Sequence, residues 1–298
     1  MPVIFLTGFM GSGKTSVGRR LAERLGRVFV DLDERVYARS GASIREIFAC
    51  AGERAFRVLE GDVLRETALA GQEAVVATGG GTPVDPANRA VMKACGTIVY
   101  LEAEFATLKG RIPDDPERPL WGESAQELLQ SRLASYRDAD IVIATDNLTV
   151  AEVVDAVAGR LHGLPRQVPV LAPPSPYPVY TGQGVLRRAR RLISRHLRPE
   201  GLFVVADERV MDLHGDLVRA SLTTTPGAFM TIPQGESSKS LGVLGQVLET
   251  MAQARVNRQW ACAAVGGGVT GDIAAFASSV YMRGIPVIQV PTTLLAQV

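Results

Sequence analysis

The sequence predicts an α/β protein of two tandem domains, and three observations carry that prediction. Apolar strand-like runs alternate with amphipathic helical patterns through the first 160 residues, as βαβ units on a parallel sheet do. The alternation halts in a proline-dense stretch and resumes near residue 200. Each half also places a glycine-rich turn between an apolar run and a helical pattern, the arrangement that brings backbone N–H groups to a phosphate.

Taken in order, Val3-Ile4-Phe5-Leu6 reads as a buried strand and Lys14 to Leu25 as the helix that follows. Between them GFMGSGKTS satisfies G-x-x-x-x-G-K-[ST] through Gly8, Gly13, Lys14 and Thr15. The small residues Gly11, Ser12 and Gly13, with Ser16 closing the motif, let the backbone curl around phosphate oxygens. Lys14 can reach the β- and γ-phosphates, and the Thr15 hydroxyl can complete a Mg²⁺ shell. This half is read as binding a nucleoside triphosphate. Further strands are expected at Val28–Val30, Ala74–Ala77, Ile98–Leu101 and Ile141–Ala144, with a last helix from Val150 to Leu161.

From Gly163 to Pro178 prolines fall at 165, 169, 173, 174, 176 and 178, a density that cannot sustain a helix or a central strand. It predicts a semi-extended linker over residues 164–178, dividing a domain at 1–163 from a second at 179–298. Strands near Leu202–Ala206, Phe229–Ile232, Ala261–Val265 and Val287–Val290 restart the pattern. After the third of these, Gly266-Gly267-Gly268-Val269-Thr270-Gly271 satisfies G-x-G-x-x-G, and Asp272 to Tyr281 looks helical. No Asp or Glu follows Asp272, so the acidic residue that would hold a ribose about 20 positions on is missing. Upstream, Glu236 and Lys239 are available for that contact.

Composition narrows the function classes. A formal net charge of +1 offers nothing to nucleic acid or an anionic membrane. No apolar stretch is long enough to span a bilayer. Cys50, Cys95 and Cys262 are isolated, which fits neither a disulfide framework nor a Cys-based zinc site and suits a reducing cytoplasm. His162, His196 and His214 show no metal-ligand spacing.

What receives the phosphate is read from the residues beyond the loop. Asp31 and Asp33 follow the second strand at the carboxyl edge of the sheet, where one could hold Mg²⁺ through water and the other orient an acceptor hydroxyl; capping the next helix is an equal alternative. Gly79-Gly80-Gly81 permits close backbone approach to a ligand or makes a tight turn. Arg57, Arg118 and Arg137 could supply forked donors to a carboxylate, and the Pro-, Asp- and Glu-rich segment Arg111–Ser124 suits a lid. A regulatory GTPase would need N-K-x-D and D-x-x-G in this half, and neither occurs.

These residues together resemble shikimate kinase over positions 1 to about 162. The signposts are GFMGSGKTS, DLD at 31–33, GERAFR-x-x-E at Gly52–Glu60, GGG at 79–81, RPL at Arg118–Leu120 and the Arg137 that follows Ser135-Tyr136. The resemblance implies ATP- and Mg²⁺-dependent phosphorylation of the 3-hydroxyl of shikimate. In it Lys14 and Thr15 hold ATP and the metal, Asp31 binds the metal through water, and Asp33 acts as base or orienter. Arg57 and Arg137 clamp the substrate carboxylate beside Gly79, Gly80 and Gly81, while Arg118 comes from the lid to the transferring phosphoryl group. The alternative is another small-molecule kinase of the same loop class, joined to a non-catalytic NAD-binding module.

Residues from roughly 170 onward resemble the N-terminal, NAD-binding part of 3-dehydroquinate synthase. The matching runs are ADERV at 206–210, IPQGESSKSL at 232–241, GGGVTGD at 266–272, YMRG at 281–284 and VPTTLLAQV at 290–298. NAD contacts are thereby implied for Asp207, Glu236, Lys239, Gly267, Gly268, Val269, Asp272, Thr292 and Thr293, and a substrate contact for Arg283. The family's divalent metal, such as Zn²⁺ or Co²⁺, is held by a later helical domain. That domain is not expected within these 298 residues. The family also implies a homodimer through this half.

Overall fold

A computed structural model describes residues 3–112, 124–171 and 176–297. Contacts divide the chain into two compact units, one running up to Gln183 and one starting at Gly184.

In the first unit, β1 (Val3–Thr7) leads through the phosphate loop into α1 (Lys14–Leu25). There follow β2 (Val28–Asp31), α2 (Leu32–Ser40), α3 (Ile44–Leu69, broken at Gly52) and β3 (Ala74–Ala77). Next come α4 (Pro86–Cys95), β4 (Gly96–Glu102), α5 (Phe105–Arg111), α6 (Ala125–Arg137), β5 (Ile141–Ala144) and α7 (Val150–His162). The strands form a parallel sheet in the order β2-β3-β1-β4-β5. Both faces are covered, because β1 alternates. Val3 and Phe5 pack under α3 and α4, while Ile4 and Leu6 pack under α1 and α7. Parallel strands all end at one edge, and the order reverses on either side of β1. The loops after β1, β2, β3 and β5 therefore open onto a common crevice.

The proline-dense segment departs from the expected linker. It contains β6 (Arg166–Val170) and β7 (Tyr177–Thr181), an antiparallel pair that belongs to the first unit. A two-stranded ribbon consists only of edge strands, so Pro169 and Pro178, which face each other across it, can turn their missing donors outward. The segment also buries Gln167 against α4. The boundary accordingly falls after this hairpin.

The second unit begins with α8 (Ala189–His196). It continues with β8 (Leu202–Asp207), α9 (Glu208–Leu222), β9 (Gly227–Ile232), α10 (Leu241–Gln253), β10 (Ala261–Gly266), α11 (Gly268–Val280) and β11 (Val287–Pro291). Its parallel sheet runs β11-β10-β8-β9. Phe203, Val205, Cys262 and Ala264 pack against α10 and α11, while Val204, Ala206, Ala263 and Val265 face α8 and α9. Among the described residues no helix is long and apolar enough to cross a membrane.

Candidate active site

The crevice of the first unit is a cavity of about 730 Å³ lined by the phosphate loop together with Asp33, Arg57, Gly80, Gly81 and Arg132. Gly13 caps α1 in the left-handed region (φ 90°), which a side chain would strain; this conformation turns the first N–H groups of α1 toward the cavity. Lys14 Nζ is folded back onto the carbonyls of Gly8 and Phe9, 2.9 Å from each. Ser12 Oγ is buried with no hydrogen-bond partner, an orphaned donor within a loop built for anions. Thr15 Oγ1 donates to Asp31 Oδ2 at 2.9 Å, which unites the two oxygens expected at a metal. Asp31 also caps α2 by accepting from the Asp33 N–H at 3.1 Å, so the capping role and the site role coexist in one side chain.

The acceptor side is a network of charges. Arg57 Nη1 donates to Glu60 Oε2 at 2.8 Å, and its Nε and Nη2 reach Glu53 Oε1 at 3.2 and 2.9 Å. Burial opposes the Arg57 charge, but Glu60 and Glu53 outweigh it and raise the guanidinium pKa above its ordinary value. Glu60 is 1% exposed, and its other oxygen accepts from Thr82 Oγ1 at 2.7 Å. Asp33 lines the cavity and remains open to solvent. Loss of hydration, then the nearby carboxylates of Asp31 and Glu60, push its pKa up to about 6 against the pull of Lys14 and Arg57. A Cβ on Gly81 would collide with the Arg57 guanidinium, so the turn must be glycine for the arginine to lie over it. Gly79 sits behind this wall, packed on Glu60, Thr82 and Asp33, while Gly80 and Gly81 face the cavity.

Arg137 does not join them. It pairs with Glu102 at 2.9 Å and is 63% exposed. The arginine of α6 that lines the cavity is Arg132, which is buried and close to Gly80 and Tyr136. Five residues of helix rotate a side chain by about 140°, so the two arginines point to different sides of α6. The signal for Arg132 was present in the spacing. Ala125, Leu129, Arg132 and Tyr136 form the buried stripe of α6, and an arginine on such a stripe needs a reason. Tyr136 completes this wall, donating to Gly80 O at 2.6 Å, with burial raising its pKa to about 12. Sequence reasoning also left Arg111 without a role of its own. Its guanidinium binds Thr145 Oγ1 (3.1 Å) and Thr145 O, and forms a cavity wall with Leu148 and Val150. Arg118 lies outside the described residues.

In the second unit, the predicted residues gather at the carboxyl edge of the sheet. Asp207 ends β8 and caps α9 through Val210 N at 3.2 Å. Gly267 backs onto Thr293, and Thr292 N donates to Gly266 O at 2.9 Å. Gly268 and Val269 begin α11, and nothing lies within 4 Å of a Cβ built on Gly268. Lys239 Nζ bridges Asp272 Oδ2 at 2.8 Å and Glu236 Oε1 at 3.9 Å. Arg283 stands apart. It follows α11 at the opposite end from Gly267, about 20 Å along a helix of thirteen residues. Its backbone is left-handed (φ 68°), as is that of Met282. Among the described residues, no three His, Cys, Asp or Glu side chains cluster as metal ligands.

Residues 10–162 match the family model for shikimate kinase, and residues 229–298 match that for the N-terminal part of 3-dehydroquinate synthase. A shikimate kinase of Persephonella marina is 40% identical over 162 residues, covering 53% of this chain and 98% of that protein. A bifunctional shikimate kinase/3-dehydroquinate synthase of Thermotoga maritima is 32% identical over 301 residues, 99% of this chain and 56% of that protein. The solved shikimate kinase of Acinetobacter baumannii in complex with shikimate superposes with a TM-score of 0.52 at 36% identity, covering 55% of this chain and 94% of that one. Over its first half, this chain belongs to the shikimate kinase family.

Proposed function

We propose that the first unit transfers the γ-phosphoryl group of ATP to the 3-hydroxyl of shikimate, releasing ADP and shikimate 3-phosphate. The observation that carries this reading is the convergence of phosphate loop, Asp33 carboxylate, Arg57 and Arg132 on one cavity. The buried, unpartnered Ser12 Oγ and the loop N–H groups fit phosphate oxygens. Lys14 can exchange its two carbonyl partners for the β- and γ-phosphates. Thr15 and, through water, Asp31 suit Mg²⁺, which when bound neutralises charge on those phosphates.

Arg57 and Arg132 provide the paired, forked donors that a carboxylate requires, and they do so beside the Gly80–Gly81 backbone that lines the cavity. The substrate hydroxyl is thereby held at Asp33. Its oxygen attacks the γ-phosphorus in line as the bond to the β–γ bridging oxygen breaks, and the hydroxyl proton is taken or directed by Asp33. With a pKa near 6, Asp33 is ionised at neutral pH yet basic enough to accept it. Arg118 is assigned to charge developing on the phosphoryl group. A coupled assay of ADP release tests the reading. Release should depend on shikimate, and equal release without it would overturn the proposal.

For the second unit we infer NAD binding at the glycine turn of α11, with Asp207, Glu236, Lys239, Asp272, Thr292 and Thr293 around it. The open space at Gly268 supports this, because it allows close approach of a pyrophosphate to a helix N-terminus. NAD⁺ supplies a hydride acceptor. By resemblance it would serve the 3-dehydroquinate synthase reaction, for which the chain spans 56% of the bifunctional relative. Equilibrium dialysis with NAD⁺ tests the binding, and no retention at millimolar ligand would overturn it.

A further inference from the structure

Helix α4 runs behind the acceptor wall and is tied to it. Arg89 Nη1 donates to Pro83 O at 2.6 Å and Val84 O at 2.9 Å, the carbonyls of the turn that leaves Gly81, and lies 3.4 Å from Ser135 Oγ on α6. Arg89 Nε is 3.4 Å from Asp138 Oδ2, and Lys93 Nζ, one turn further on, donates to Asp138 Oδ1 at 2.8 Å. Asp138 is the C-cap of α6, the helix that carries Arg132 and Tyr136. One face of α4 thus joins the Gly80–Gly81 turn to the helix of the buried arginine.

The far end of α4 is held by the hairpin. Gln167, 2% exposed on β6, donates through Nε2 to Lys93 O at 2.7 Å and Ala94 O at 2.8 Å. These are carbonyls from the last turn of α4, where helical partners run out. Gln167 lies beyond residues 10–162, which match the kinase family model. Neither Gln167 nor Arg89 lines the cavity.

We propose that the hairpin β6–β7 is a positioning element of the kinase site: Gln167 seats α4, and Arg89 on α4 sets the Gly80–Gly81 turn against Arg132. The bonds of Arg89 and Gln167 given above run to the turn after Gly81, to α6 and to α4, so the larger effect is expected at the acceptor. The inference rests on the phosphoryl-transfer reading above.

The test is steady-state kinetics on the full chain for Gln167→Met, Gln167→Ala, Arg89→Met and Arg89→Lys, with melting temperatures alongside. Gln167→Met keeps the side-chain volume while removing the donors, so packing survives. The expected result is a rise in shikimate KM of about tenfold for Gln167→Met and Arg89→Met, since small misplacements of a binding wall cost this much or more. The ATP KM should stay within about twofold, and Arg89→Lys, which keeps a cation near Asp138, should fall between wild type and Arg89→Met. A purely structural role would lower the melting temperature and leave both KM values unmoved, or move them together, and either pattern overturns the inference. If wild-type ADP release ignores shikimate, the transfer reading itself fails and this inference fails with it. A shikimate-dependent wild type with unmoved variants sinks the inference alone.

Discussion

Thr15 on α1 and Asp31 at the end of β2 meet in a 2.9 Å hydrogen bond, although they lie sixteen positions apart in the sequence. The contact exists because β1 and β2, flanking β3 in one parallel sheet, end at the same edge. Under the proposed reading, Asp31 would hold Mg²⁺ through water beside the Thr15 hydroxyl. Asp31→Asn keeps the shape and removes the charge. It should raise the Mg²⁺ concentration for half-maximal activity by about 10–100-fold, the usual cost of losing such a partner. A Mg²⁺ titration at saturating substrates measures this, and the shikimate KM should hardly change. An unaltered Mg²⁺ requirement would remove Asp31 from the metal site.

Asp33 carries a cost that its position explains. Its folded-state pKa of about 6 lies above the ordinary carboxylate value of 3.8, so the folded protein binds the proton more tightly than the unfolded chain does. The stability associated with protonated Asp33 is full below pH 4 and is lost as pH rises through 6. Asp33→Asn cannot ionise and should escape that loss. In ligand-free, metal-free buffer its melting temperature should match wild type near pH 4 and exceed it above pH 7, while activity disappears. Thermal melts across this range check the sign. A variant less stable than wild type at pH 8 would mean the carboxylate is favourably held. Wild-type kcat/KM should correspondingly fall on the acid side of pH 6.

The two arginines of α6 separate cleanly by experiment. Arg132→Ala removes a buried cation from the cavity and should raise the shikimate KM by about 10–100-fold, in line with the loss of charge-assisted hydrogen bonds. Arg137→Ala breaks an exposed pair with Glu102 and should cost about 1 kcal/mol or less in stability, with KM nearly unchanged. Steady-state kinetics on both variants settles which arginine meets the substrate. A large KM effect at Arg137 with none at Arg132 would reverse the assignment.

The elements of both sheets were legible because they obey simple periodicity. Ala74–Ala77 and Ile141–Ala144 are continuous apolar runs, and α1 spans Lys14–Leu25 as the spacing predicts. The phosphate loop was legible because its motif is contiguous, and its turn into α1 through Gly13 forms where the spacing puts it. The acceptor wall was less so because it is assembled across elements. Choosing between Arg132 and Arg137 depends on helical phase. Glu60 acts through Arg57 and Thr82, whose contacts no local pattern encodes. The hairpin was misread because proline density argues against central strands but is silent on two-stranded ribbons.

At Gly268 the fold and the proposed NAD⁺ site of the second unit make opposite predictions. As the first residue of α11 it contributes no side chain, and a Cβ there would meet no protein atom within 4 Å. If the space served only the fold, Gly268→Ala would be free of cost, and better helix propensity would stabilise the unit by up to about 1 kcal/mol. If the space admits a pyrophosphate, the same methyl group stands where the ligand backbone must come. Gly268→Ala should therefore melt at or above the wild-type temperature while its NAD⁺ affinity falls about tenfold or more. Calorimetric titration and urea unfolding on the same preparation give the two numbers. An alanine variant that binds NAD⁺ as tightly as wild type would show that the dinucleotide, if it binds, does not approach the backbone at this turn.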